Sequence, residues 1–393
     1  MRSTRSSSAA DYTAEMMLSE QDSARLREAL ELAHSAIGVS DPNPRVGCVI
    51  ARADGSTLGT GATQEAGGPH AEVAALRQAQ SAGFDVRGAT AWVTLEPCAH
   101  HGRTPPCCDA LIVAGIGRVV VAVEDPFSQV AGAGIARLRA AGVQVDIATG
   151  ELADAAREIN IGFFSRILRH RPWVRMKIAA SLDGRTALPD GRSQWITGPE
   201  ARADSHAWRR RAGAVLTGLG TVVADDPRLD VRLVPTQLQP LRVVVDSNLR
   251  MPANAKLLDP PGAVLVATTA DDPVRCAELQ ARGAEVLRLG SIAGRVDLGC
   301  LLAELARRGI NELHVEAGPR LNAALLKSGW VDEVVIYLAP MLLGTGAGMA
   351  ALGPLEQISD ATRYEFREAV QVGDDLRLRA RPLGSGELLL GVK

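Results

Sequence analysis

From residue 24 onward, short runs of Val, Ile, Leu and Ala alternate with segments whose apolar residues recur at helical spacing, and this alternation confines the chain to an α/β architecture. Leu26, Leu30, Ala33 and Ile37 predict a helix over 23–37, which Asp41-Pro42-Asn43-Pro44 must break. Strands are predicted at 46–51, 90–95, 119–123 and 143–148, and helices at 70–82, 107–115, 133–141 and 151–160. A sheet covered by helices on both faces, over 24–168, follows from that order. The basic stretch 166–172, ending in Pro172, reads as a linker. A second set begins at Trp173, with strands at 173–180, 213–217, 241–246, 263–267, 311–316 and 333–338. Its helices are predicted at 199–211, 273–281, 299–308 and 319–327, and the weak alternation over 365–393 is expected to add edge strands. The two sets share a class but no internal period. A chain of 393 residues exceeds what one hydrophobic core usually serves, so two domains, 24–168 and 172–393, are expected.

Residues 1–23 are polar and rich in Ser and Ala, without the apolar run of a secretory signal. They are expected to form a disordered tail on a cytoplasmic protein. Nothing approaches the roughly 20 apolar residues that span a bilayer. In that compartment the six cysteines read as metal ligands or buried thiols rather than disulfides. Lys and Arg total 43 against 45 Asp and Glu, a net charge of −2, which gives no overall attraction to nucleic acid or an anionic membrane. With 3% aromatic residues the chain also has little to stack on RNA bases. The arginine run within 202–211 is a candidate basic pocket, though a solvated helix face accounts for it equally well.

Chemistry concentrates in His70-Ala71-Glu72, Glu96-Pro97-Cys98 and Cys107. A hydrolytic zinc site needs three protein ligands and one open position, which His70, Cys98 and Cys107 supply. A separate carboxylate must carry protons while water attacks a ring carbon and an amine leaves, and Glu72 suits that role. His70 and Cys107 both precede helical runs, where the helix dipole favours thiolate and metal binding. Residues i and i+2 do not share a helix face, so His70 and Glu72 work together only in an irregular first turn. Taken singly, His70 reads as a helix cap and Cys98 and Cys107 as buried thiols; their order and placement favour the metal site. The short deaminase signature has two residues between its cysteines, whereas eight separate these. Cys108 competes with Cys107, and His100 and His101 compete for the metal.

The long loop Thr94-Leu95-Glu96-Pro97-Cys98-Ala99-His100-His101-Gly102-Arg103-Thr104-Pro105-Pro106-Cys107 closely resembles the pyrimidine deaminase of riboflavin biosynthesis. Asp41-Pro42-Asn43-Pro44-Arg45-Val46-Gly47 and Gly67-Gly68-Pro69-His70-Ala71-Glu72-Val73 resemble its flanking motifs. The second half resembles the family's reductase at residues 176–185, at Ser193-Gln194-Trp195-Ile196-Thr197-Gly198, and at Gly220-Thr221-Val222-Val223-Ala224-Asp225-Asp226-Pro227. The resemblance implies a cytidine-deaminase-like three-layer α/β/α domain followed by a dihydrofolate-reductase-like α/β domain. It implies a bifunctional enzyme that deaminates a phosphorylated pyrimidine with Zn2+ and then reduces its ribosyl chain with NADPH. His70, Cys98 and Cys107 then correspond to zinc ligands, Glu72 to the proton shuttle and Asn43 to the base-binding face. Ala179, Trp195, Thr221, Asp225, Ser247 and Gly318 correspond to coenzyme positions. Ser193, Arg209, Leu229, Arg232 and Glu316 correspond to substrate positions, the arginines suiting a phosphate. A homo-oligomer is also implied. Without the resemblance, Trp195 reads as core and Arg209 as part of a solvated face.

Three segments depart from the family pattern: Ala62-Thr63 for an aromatic-His pair, 125–130 for Asp-Pro-Asn-Pro, and Glu316-Ala317-Gly318 for Glu-Gly-Gly. The first two are expected to bear on how the pyrimidine is held, the third to crowd the coenzyme loop. Gly132-Ala133-Gly134 and Gly344-Thr345-Gly346-Ala347-Gly348 are not dinucleotide fingerprints and are expected to be turns. Two other readings compete: a deaminase for another base, and a non-catalytic nucleotide binder with a closed structural zinc. Glu72 argues against the second, since a structural site needs no such carboxylate.

Overall fold

Ser19 starts the first helix ahead of the predicted 23. In α1 (Glu20–Ser35) the Ser19 hydroxyl accepts from the Asp22 amide at 3.0 Å, and the Asp22 carboxylate accepts from the Ser19 amide at 3.3 Å. This reciprocal cap satisfies donors that a helix end leaves open. Asp22 also accepts from Trp92 Nε1 at 2.9 Å and Arg118 Nη1 at 2.7 Å, so residues 20–23 are packed helix rather than the expected tail. The chain is described by a computed structural model covering residues 18–99, 105–127 and 131–385. The expected tail over 1–17, and 386–393 of the C-terminal segment, lie outside the described residues.

The first sheet contains β1 (Gly47–Ala51), β2 (Thr57–Ala62), β3 (Thr90–Val93), β4 (Arg118–Val121) and β5 (Gln144–Ile147), in the order β2-β1-β3-β4-β5. β1 runs antiparallel to β2 and β3, while β3, β4 and β5 are parallel. α1 packs with α5 (Glu151–Ile159), and α2 (Ala71–Ser81) touches α3 (Cys107–Val113), which touches α4 (Ala133–Ala140), giving a helical layer on each face. β2 went unpredicted because Gly59 and Gly61 weaken its strand signal. Those glycines let α2 lie on the sheet: an added Cβ would sit 2.3 Å from the Ala75 carbonyl oxygen at Gly59, and 2.3 Å from that of Ala71 at Gly61.

The expected linker is instead a packed junction. Its first residues complete α6 (Ile161–Arg169); Arg169 there and Arg171 beyond the helix both pair with the buried Asp332, and Arg166 donates to Asn311. Trp173 is buried in the first domain's apolar core although it opens the second domain's first strand. Their basic character thus serves contacts with the second domain, which a linear reading takes for solvation.

That domain begins with β6 (Trp173–Ser181), β7 (Arg185–Ala187), α7 (Pro199–Arg211), β8 (Ala214–Gly218), α8 (Leu219–Asp225), β9 (Leu241–Val245) and β10 (Val264–Thr268). It continues through α9 (Pro273–Ala281), β11 (Ala284–Arg288), a small hairpin of β12 (Ser291–Ile292) and β13 (Arg295–Val296), and α10 (Leu298–Arg307). β14 (Glu312–Val315), α11 (Pro319–Lys327), β15 (Glu333–Ala339), β16 (Ala347–Gly348), β17 (Tyr364–Val372) and β18 (Asp375–Pro382) complete it. Among the described residues, nine strands form one sheet, β11-β10-β9-β8-β14-β6-β15-β18-β17, parallel up to β15 and antiparallel at β18 and β17. The weak C-terminal alternation therefore does supply edge strands. α7, α9 and α11 have the predicted bounds, and each opens on a proline, whose fixed φ suits the first helical position. Val243 and Val244 of β9 point into two different apolar clusters, one on each face of the sheet. No helix among the described residues is long and apolar enough to cross a membrane.

Candidate metal centre and ligand cleft

His70, Cys98 and Cys107 come from three elements and converge at one end of the first sheet. His70 is the residue before α2, Cys98 lies in the segment after β3, and Cys107 is the first residue of α3. His70 Nδ1 is 3.3 Å from Cys107 Sγ and 3.7 Å from Cys98 Sγ, and the three candidate ligand atoms lie within 4.8 Å of one another. One imidazole and two sulfurs at that spacing fit a tetrahedral zinc with one position left for water. His70 has no side-chain capping bond, so its ring is not committed to the helix end. The Cys107 thiol donating to Cys98 draws the Cys98 thiol down to about 4, and the same bond pushes Cys107 upward. Cys108 takes no part: its sulfur is 3.9 Å from Asp109 Oδ1, and it packs in the apolar core. His100 and His101 lie outside the described residues.

Glu72 follows in the first turn of α2, buried at 3% exposure. Burial lifts its carboxyl to about 7, with the Cys98 thiolate adding to the rise. A carboxylate so placed can take and return a proton near neutrality. Asn43 is half-buried in the turn before β1, where its amide donates to the Ser40 carbonyl at 2.8 Å. Its carboxamide has no protein partner among the described residues.

Glu96, quoted in the sequence only as part of a motif, holds the Cys98 turn in place. Its buried carboxylate accepts from the amides of Asp125 (3.1 Å), Gly132 (3.0 Å), Gly134 (2.8 Å) and Ile135 (3.2 Å). It thus sits at the positive end of α4. An added Cβ at Gly134 would lie 1.9 Å from the Pro97 carbonyl oxygen, so Gly132-Ala133-Gly134, expected to be a turn, is instead the close-packed start of α4.

The second domain has a cleft of ≈ 1660 Å³ along the carboxyl ends of β8, β9 and β14. Open α/β sheets bind ligands there. Ala179, Ser193, Trp195, Arg209, Thr221, Asp225, Leu229, Arg232, Ser247, Glu316 and Gly318 all line it. Glu316 and Arg209 form a two-pronged ion pair, with Arg209 Nη2 at 3.0 Å from Glu316 Oε2. Burial alone would raise the Glu316 carboxyl, but Arg209 outweighs it and holds the group well below the usual range. The Arg209 fork is thus engaged with Glu316, and Nη1 donates to the Asp230 carbonyl at 2.9 Å. Arg232 reaches Asp230 at 2.6 Å while its side chain stays 44% exposed, so it is the freer cation. The Ser193 hydroxyl donates to Asp225 at 3.3 Å, Trp195 is 65% exposed beneath the Arg202 guanidinium, and the Ser247 hydroxyl accepts from the Val296 amide at 3.1 Å.

Two residues, one lining the cleft and one behind its arginines, were given no role in the sequence reading. Lys177 lines the cleft near Arg209 and Glu316, and its pKa is lowered by burial. Its signal was a charged residue inside an apolar strand. His206 accepts from the Arg232 amide at 3.1 Å and abuts Arg209 at 3.4 Å. Burial, then Arg209, brings it down to about 4, so it is neutral.

The departures from the family pattern are accommodated locally. The buried Thr63 hydroxyl accepts from the Val46 amide at 3.1 Å. Ala317 has no left-handed φ, and its methyl packs against the second domain's core. Phe127 is exposed, while 128–130 lie outside the described residues. The second glycine stretch, expected to be a turn, instead ends in β16, which pairs with β7 beside the cleft, and an added Cβ at Gly346 would lie 2.2 Å from the Ala187 carbonyl oxygen.

Comparison with known proteins covers both halves. Residues 19–123 match the cytidine and deoxycytidylate deaminase zinc-binding region, and residues 172–378 match the RibD C-terminal domain. The riboflavin biosynthesis protein RibD of Escherichia coli is 45% identical over 371 residues, covering 91% of this chain and 98% of that protein. The RibD protein of Aquifex aeolicus is 41% identical, covering 92% and 98%. A solved Acinetobacter baumannii RibD structure superposes with a TM-score of 0.82 at 41% identity, covering 92% and 99%. A Thermotoga maritima structure described as a diaminohydroxyphosphoribosylaminopyrimidine deaminase/5-amino-6-(5-phosphoribosylamino)uracil reductase gives 0.82 at 31% identity, covering 92% and 99%. Matches of this extent across both domains make the chain a member of the riboflavin biosynthesis RibD family, joining a zinc-dependent deaminase to an NADPH-dependent reductase.

Proposed function

We propose that the first domain, 24–168 with the helix start at Glu20 added, hydrolyses the 2-amino group of 2,5-diamino-6-(5-phosphoribosylamino)pyrimidin-4(3H)-one. The second domain, 172–393, then reduces the ribosyl side chain of the product to ribityl phosphate. The observation that carries this is the convergence of His70, Cys98 and Cys107 beside the buried Glu72, in one chain with a cleft of matching residue content.

His70, Cys98 and Cys107 hold zinc, which when bound supplies Lewis acidity at its open position. Glu72 takes a proton from the attacking water and returns it to the leaving amine, so ammonia departs neutral. Asn43 presents its unpaired carboxamide to the base. In the cleft, Ala179, Trp195, Thr221, Asp225, Ser247 and Gly318 hold NADPH, which supplies the hydride. Gly318 precedes α11, a helix start suited to an anionic group. Ser193, Arg209, Leu229, Arg232 and Glu316 hold the substrate. Arg232 is the phosphate partner, and Arg209 acts through the orientation of Glu316. We place the protein in the cytoplasm, in keeping with its six free cysteines. It is a homo-oligomer in this reading, supported by Phe366 and Leu376 exposed on the edge hairpin and testable by light scattering.

The test is to give zinc-loaded protein the phosphoribosylaminopyrimidine and follow ammonia, then NADPH oxidation. Both signals should appear in that order, and Glu72→Gln should abolish both while retaining zinc. Ammonia without NADPH oxidation would remove the reductase half of the reading, and no ammonia from metallated protein would point to another substrate.

A further inference from the structure

The deaminase loop that carries Asn43 is gripped by the reductase domain. Asn311, 3% exposed and just before β14, donates from Nδ2 to Asp41 Oδ1 at 2.8 Å and to the Pro42 carbonyl at 3.2 Å. Its Oδ1 accepts from Arg166 Nε at 2.7 Å, and Arg166 Nη2 also donates to the Pro42 carbonyl at 3.0 Å. Next along the strand, the fully buried Glu312 pairs with Arg45 at the other end of the loop, with Arg175 at 2.5 Å and with Arg211 at 2.9 Å. Asn160 holds both backbone groups of Arg45, at 2.7 and 2.9 Å. Asp41, Pro42 and Arg45 are thus tied down on both sides of Asn43, while the Asn43 carboxamide is left unpaired. A loop clamped on either side of one free polar side chain is a preorganised recognition element.

We infer that Asn311, though in the reductase domain, is a positioning residue for deamination, setting the Asp41–Arg45 segment so that Asn43 meets the base. The inference rests on the assignment of Asn43 to the base-binding face. Asn311 does not line the reductase cleft, so reduction should not need it. Deamination by one domain therefore depends on a contact supplied by the other.

The test uses the full-length, zinc-loaded protein. Asn311→Asp replaces the Nδ2 donor with a carboxylate facing Asp41, yet keeps an acceptor for Arg166. KM for deamination should rise about tenfold, with kcat within about twofold, since hydrogen bonds of this kind carry that order of binding energy. Zinc content, and NADPH-dependent reduction of substrate supplied already deaminated, should match the parent protein. Adding Asp41→Asn restores a donor–acceptor pair with its direction reversed, and should bring KM back. An unchanged KM in Asn311→Asp would overturn the inference. So would a joint loss of zinc, deamination and reduction that Asp41→Asn does not reverse, because that is general destabilisation. Asn43→Ala, measured alongside, separates the two assignments. A raised KM there beside an unchanged one in Asn311→Asp overturns this inference alone; an unchanged KM in Asn43→Ala overturns the base-face assignment and this inference together.

Discussion

Replacing Glu96 with glutamine should loosen the Cys98 turn without altering a ligand atom. The carboxylate accepts four backbone amides, Gly134 and Ile135 on Oε1 and Asp125 and Gly132 on Oε2, at 2.8–3.2 Å. A hydrogen bond to a charged group contributes about 1.5–3 kcal/mol. Glutamine can offer its one oxygen to Gly134 and Ile135, but its NH2 then faces two amide donors. Losing two charged bonds costs about 3 kcal/mol at the low end, and removing the negative charge from the α4 N-terminus adds about 0.3–1 kcal/mol. Total destabilisation of about 3–4 kcal/mol is thus expected, concentrated in the Pro97-Cys98 turn and the first turn of α4. Residues supporting metal ligands typically change affinity 10–100-fold, so zinc should be surrendered at a chelator concentration lower by about that factor. Chelator competition gives the zinc affinity, and urea unfolding followed by circular dichroism gives the stability. A variant that keeps its zinc within about twofold and its urea midpoint unchanged would refute the assignment of Glu96 as the support of Cys98.

Arg209→Lys should break the two-pronged pairing with Glu316, because one ammonium cannot present two parallel donors. A fall in reductase kcat/KM of about 10–100-fold, with ammonia release unchanged, is expected from coupled assays. Gly61→Ala should place a methyl 2.3 Å from the Ala71 carbonyl, pushing α2 and His70 off the sheet. About 1–3 kcal/mol of stability should be lost by urea unfolding, with weaker zinc retention. Burial pushes the Glu333 carboxyl up, but Arg175, Arg379 and Arg381 outweigh it and hold it at about 2, against an ordinary 4.5. A depressed carboxylate contributes its full stability above 4.5 and loses it as pH falls toward 2. About 3 kcal/mol should therefore disappear across that window, and Glu333→Gln should flatten the urea midpoint over the same range.

Periodicity served where a helix or strand carries its own boundary signal. α7, α9 and α11 each open on a proline, and their limits follow from local backbone chemistry alone. β2 failed that test because its glycines answer to the closeness of α2, not to strand propensity. The candidate metal cluster was readable because its chemistry allows few substitutes and two of its three residues stand at helix starts. Residue chemistry alone left Cys108 competing with Cys107, since adjacent residues differ only in which way a helix turns them, and it was the motif resemblance that pointed to Cys107.

The charged residues of the second sheet define the boundary most clearly. Arg175, Glu312, Glu333, Arg379 and Arg381 are spread over some two hundred residues, and at each position a solvated charge is the ordinary expectation. Parallel pairing sets Glu312 beside Trp173 and Glu333 beside Arg175, and antiparallel pairing sets Arg379 opposite Val335. Side chains two apart share a face, so that register buries the charges as partners beneath α7. Arg45 and Arg166 reach the same strand region from the first domain, which turns an apparent linker and a proline-rich turn into the joint between two active domains. The chemistry of deamination and reduction is written in short motifs because single side chains perform it. The coupling of the two domains depends on which distant charges the sheet brings within 3 Å of each other, and register, not composition, decides that.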